Sequence, residues 1–159
     1  MANWKNIRKL RDHLKAQKNT KYKKFAMRHY IKFTHGVCAG ERVSIARIKK
    51  NGAACGTACC LAGEAFLLSS SNHRLPLIAG TLIDGSLAVC DSDYTLNIPE
   101  SARKYLRLTD SEARFMFYGG WTPKTVFETS RVRAVKYLTH VLEQHNIFVD
   151  WHGTRWYRD

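Results

Sequence analysis

Cys55, Cys59 and Cys60 stand close together, and two chemistries would use such residues at such spacings. The first is nucleophilic. A cysteine just ahead of a helix start lies near unpaired N–H groups that favour the thiolate, and a nearby base would complete the pair. Cys55 precedes Gly56-Thr57, where a helix is expected to begin. Were the chain an enzyme, Cys55 and His152 would be its catalytic residues, with His140 less suited and His145 expected on an apolar helix face. The second chemistry is metal binding, by His35-x2-Cys38 together with Cys55-x3-Cys59. That second spacing is not a usual zinc knuckle, and both of its cysteines fall where a core is expected. Packing is the reading adopted, because free cysteine behaves as a small buried hydrophobe. No metal and no cofactor are expected, and no catalytic residue is assigned.

Charge offers a different chemistry. The 159 residues carry 26 Lys+Arg against 13 Asp+Glu. Residues 1–50 hold 15 of those bases and only Asp12 and Glu41 as acids, so the remainder holds 11 of each sign. The whole excess of +13 therefore sits in the first third of the chain, the pattern expected of a protein that meets a polyanion. Lys5, Arg8, Lys9 and Lys15, then Lys21, Lys23, Lys24, Arg28 and Lys32, are the candidate phosphate contacts. Tyr22 and Tyr30, interleaved with them, are candidate stacking rings. No helix-turn-helix or other base-reading motif stands out, so contacts are expected mainly to the backbone of the nucleic acid.

The elements that must hold these residues follow from periodicity. Asn3 caps an expected helix to about Gln17, with Trp4, Ile7, Leu10 and Leu14 on one side and Lys5, Arg8, Lys9, Arg11 and Lys15 mostly opposite. Its apolar stripe is too narrow for a membrane-surface helix. Residues 18–24 read as a basic loop; Phe25 reads as a core anchor on a short helix, while Tyr30 is open to either the anchoring or the stacking role. Residues 42–49 alternate as a half-buried strand would. A helix over 57–68, capped by Thr57 and charged only at Glu64, is apolar all round and is expected to be the buried centre of the fold. Leu77 to Cys90 reads as a hairpin turning at Asp84-Gly85. Helices are expected from Pro99-Glu100 to Leu106, from the Thr109-x2-Glu112 capping box to Tyr118, and from Arg131 to His145. Residues 147–157 are expected to pair across His152-Gly153. The fold class expected is α+β: about five helices around 57–68 with a small antiparallel sheet or hairpins, in one domain over 1–159. Its strongly basic region is 1–50 and its charge-neutral core 51–159. The odd cysteine count and the absence of a signal-peptide pattern suit reduced thiols and a cytoplasmic location.

Phe25-Ala26-Met27, the run Cys55-Gly56-Thr57-Ala58-Cys59-Cys60-Leu61-Ala62-Gly63-Glu64-Ala65, Ala102 to Leu108, Phe115 to Trp121 and the last helix with Ala134-Val135 and Leu138 resemble a group of small proteins of tailed bacteriophages and their hosts. Its mark is a Cys-Gly-Thr-x-x-Cys-x-Ala-Gly core. The resemblance implies an origin and brings no catalytic residue or cofactor. Residues 55–61 also faintly resemble the Cys-Gly-x-Ala-Cys-Leu pattern of papain-like peptidases that cleave bacteriocin leaders, without the glutamine those enzymes place before the cysteine. Together these readings predict a phage accessory protein in the host cytoplasm, binding nucleic acid or a ribonucleoprotein through its first third. The alternatives are an inhibitor of an acidic host protein and, after it, a thiol hydrolase using Cys55.

Overall fold

The first helix, α1 (Trp4–Ala16), follows directly from its sequence. Asn3 Oδ1 accepts the Asn6 N–H at 3.2 Å, so the expected cap is formed. Ile7, Leu10 and Leu14 are fully buried. The computed structural model describes residues 1–17, 23–25, 31–35, 37–44, 46, 56–69, 77–81, 87–89, 98–118 and 131–149. Among these lie four further helices: α2 (Leu61–Ser69), α3 (Ile98–Leu106), α4 (Asp110–Tyr118) and α5 (Arg131–Gln144).

The described residues also form six strands: β1 (Lys23–Phe25), β2 (Ile31–His35), β3 (Arg42–Val43), β4 (Gly56–Cys59), β5 (Leu77–Thr81) and β6 (Leu87–Val89). They pair in the order β1-β4-β2-β6-β5-β3. The ladder is mixed, because β1 runs parallel to β4 while the other pairs are antiparallel. An all-antiparallel arrangement is thereby corrected: the connection from β1 to β4 spans residues 26–55, long enough for a parallel return.

Several local expectations are corrected in the same way. Gly56-Thr57-Ala58-Cys59 is a strand, so the helix expected at 57–68 starts at Leu61 and Thr57 does not cap it. Ladder bonds from β1 and β2 on both sides take up the β4 backbone and override its helix-like composition. Residues 23–25 and 31–35 are strands where a loop end and a short helix were expected. Of the strand expected over 42–49, the described residues show pairing at Arg42-Val43; residues 45 and 47–49 lie outside the described residues. Cys38 to Glu41 forms a turn in which Glu41 N–H donates to Cys38 O at 3.1 Å and Gly40 takes φ +79°, as the third position of a type II turn requires. Ile147-Phe148 is a turn and not the start of a strand.

Between the helices lies one cluster of buried apolar side chains. Leu61 to Leu67 of α2 are all buried, and α2 packs most extensively on α3. α1 lies along α5 and also touches α2 and α3. Two helices end on a residue in the left-handed region without glycine, Arg107 (φ 53°) after α3 and His145 (φ 48°) after α5. Leu108 N–H donates back to Arg103 O at 3.0 Å, and Asn146 N–H to Val141 O at 3.2 Å, which satisfies terminal carbonyls in both. The Thr109–Glu112 capping box forms reciprocally, at 2.7 and 3.2 Å. No helix among the described residues is long and apolar enough to cross a membrane.

Candidate nucleic-acid interface

α1 is anchored at both ends, and this fixes what its outer face presents. At its start, Asn3 N–H donates to Leu106 O at 2.8 Å and Asn6 Nδ2 donates to Tyr105 O at 2.7 Å. Trp4 meets the His145 ring edge-on at 5.3 Å. At its end, His13 Nε2 lies 2.9 Å from Glu64 Oε2, and Gln17 Nε2 donates to the same oxygen at 3.1 Å. Glu64 is wholly buried in α2, so its carboxylate depends on polar partners in place of water. The buried stripe and the two anchors leave α1 little freedom to rotate or slide.

The opposite face carries Lys5, Arg8, Lys9 and Lys15, all exposed. None of the four forms an ion pair among the described residues. Asp12, the acid on this face, is held instead by Arg11, whose Nε and Nη2 reach its Oδ1 at 2.9 and 2.7 Å. At 1.5 Å rise per residue the span from Lys5 to Lys15 is about 15 Å. A rigid cationic rod of this kind can contact several phosphates at once. Arg107 is exposed beside the start of α1, through the Asn3–Leu106 bond, and adds a further charge there.

The remaining expected contacts divide. Lys23 and Lys24 lie on β1 and Lys32 on β2. The register places Lys24, Ala58, Lys32 and Ala88 in one cross-strand row. Lys23 falls in the neighbouring row, with Thr57, Phe33 and Leu87. Lys21, Tyr22, Arg28 and Tyr30 lie outside the described residues, as do Cys55 and His152.

No family model, curated protein or solved structure matches the chain. Function must therefore be argued from the residues themselves.

With β4 between them, Cys55 is six positions before the first residue of α2, and Cys60 takes the place at the helix start. The N–H groups of Gly63 and Ala62 point at its sulfur. Burial nevertheless pushes the Cys60 thiol up to about 11, and the Glu64 carboxylate adds to the rise. A thiol in that state is a poor nucleophile at neutral pH. Among the described residues no group of three or more His, Cys, Asp and Glu side chains is placed to hold a metal. His145 was expected to pack on the apolar face of α5; it instead ends that helix, exposed, with its ring against Trp4.

Sequence reasoning missed the His13–Gln17–Glu64 cluster. The signal was present on one side: a lone carboxylate in an apolar helix requires a partner from elsewhere. Its identity depended on how α1 docks, which no local pattern encodes.

Proposed function

We propose that this chain binds nucleic acid through the outer face of α1, with Lys24 and Lys32 of the sheet as further contacts. The observation that carries the reading is the set Lys5, Arg8, Lys9 and Lys15, exposed together on a helix whose other side is locked in the core. Four cations on one rigid face retain their charge for an outside anion, whereas paired cations would not. The contacts are to phosphates, and a ribonucleoprotein would offer the same groups. In line with the resemblance of its Cys-Gly-Thr-x-x-Cys-x-Ala-Gly core, the protein belongs with accessory proteins of tailed phages, its body arranged around α2.

The test is fluorescence anisotropy on labelled duplex and single strands at low salt. Neutralising four phosphates through α1 gives a slope of log affinity against log salt of about −3.6 on duplex DNA, which contacts from Lys24 and Lys32 would steepen to about −5.4. Lys5→Glu with Lys9→Glu should lower affinity at least tenfold and flatten that slope. Absence of binding to any nucleic acid at low salt refutes the reading. Capture of an acidic protein that survives nuclease treatment would favour a protein partner in its place.

A further inference from the structure

We propose that Asp12 is a base-reading residue, seated between two rows of phosphate contacts when α1 enters the major groove of B-form DNA. This rests on α1 being the nucleic-acid surface, and it adds a groove, a duplex form and a specificity residue to that reading.

The order of side chains around α1 carries the argument. With 3.6 residues per turn, the outer arc runs from half-buried Arg11 through exposed Lys15, Arg8, Asp12, Lys5, Ala16 and Lys9. Asp12 is therefore flanked, by Arg8 and Lys15 on one side and by Lys5 and Lys9 on the other. A flat phosphate surface would place this carboxylate against like charge. In a groove the same arrangement is favourable, because the two cationic rows meet the two phosphate rims and the middle residue faces base edges. The B-DNA major groove is about 12 Å wide and admits one helix. The A-form RNA major groove is too deep and narrow for side chains to read. Single strands are bound on stacking rings, and the exposed arc of α1 carries none. Trp4, the aromatic of this helix, is turned to His145.

On the groove floor a carboxylate accepts from the cytosine N4 amino group. Asp12 is prepared for this. Both Arg11 bonds converge on Oδ1, with none to Oδ2 among the described residues, and the side chain is 55% exposed. Arg11 is thus a positioning residue.

The experiment selects tight binders from a DNA duplex pool with a randomised centre, then compares wild type, Asp12→Asn and Arg11→Gln on selected duplex, unselected duplex, RNA duplex and single strand. The expected result is enrichment of cytosine at one position, with at least about fivefold weaker binding when it is replaced. Asp12→Asn should abolish that preference while leaving affinity for the unselected pool equal or higher, and Arg11→Gln should blunt it. Circular dichroism checks that both variants fold. Binding without sequence preference overturns the proposal, as does a preference that Asp12→Asn retains, or tighter binding of RNA duplex or single strand. In each of those cases the phosphate-binding reading survives; loss of all binding removes both.

Discussion

At the scale of single residues, two buried polar groups define what the core tolerates. Cys60 stands at a helix start, where N–H groups favour a thiolate, but full burial opposes that charge and dominates. In the native state at pH 7.5, iodoacetamide should modify exposed Cys38 well before Cys60. Mass spectrometry of partial labelling reads the order directly, and fast modification of Cys60 would show that its burial is not maintained in solution. Glu64 presents the opposite problem, a carboxylate already inside and held by His13 and Gln17. His13→Ala removes one partner and should cost about 2–3 kcal/mol in urea unfolding. Replacing the pair, His13→Leu with Glu64→Leu, should recover much of that loss, because the buried charge goes with its partner. If the double variant is less stable than His13→Ala, the pair contributes net stability and the desolvation argument fails.

At the scale of elements, the capped starts of α1 and α4 and the β5–β6 hairpin were legible, whereas β1, β2 and β4 were not, for one physical reason. Caps act within four residues, so Asn3, Thr109 and Glu112 announce α1 and α4 in the sequence itself. A three-residue strand such as β1 draws its hydrogen bonds from residues 57–59, more than thirty positions away. Nothing within Lys23-Lys24-Phe25 encodes that pairing. β4 shows the same limit from the other side: its Ala and Cys continue smoothly into the apolar run of α2, and only the neighbouring strands make it extended. The cationic face of α1 was readable because helical periodicity places it. The split of Lys23 from Lys24 and Lys32 was not, because it depends on register. Arg107 marks where local chemistry and geometry disagree. It closes α3 at φ 53°, a conformation that costs an ordinary residue about 1 kcal/mol and glycine almost nothing. Arg107→Gly should therefore raise stability by roughly 1 kcal/mol. Thermal denaturation measures this, and a fall in melting temperature would mean that the Arg107 side chain makes a contact worth more than the strain.

At the scale of the molecule, net charge and charge placement make different predictions. A total of +13 attracts any polyanion weakly, whichever residues supply it. A localised interface requires particular cations at particular positions. Lys9 on α1 and Arg114 on α4 are both exposed, and reversing either changes the net charge by the same amount. If diffuse attraction governs binding, Lys9→Glu and Arg114→Glu should weaken it equally. If the outer face of α1 is the interface, Lys9→Glu should weaken it at least fivefold and Arg114→Glu less than twofold, measured side by side at one salt concentration. The salt dependence separates the two cases again. Removing a phosphate contact lowers the slope by about 0.9, whereas a charge remote from the contact leaves it unchanged. Equal losses for the two variants would return α1 to being a solvated, merely basic helix. An unequal loss with the matching drop in slope locates the partner on the α1 side of the molecule, where the anchored helix holds its cations outward.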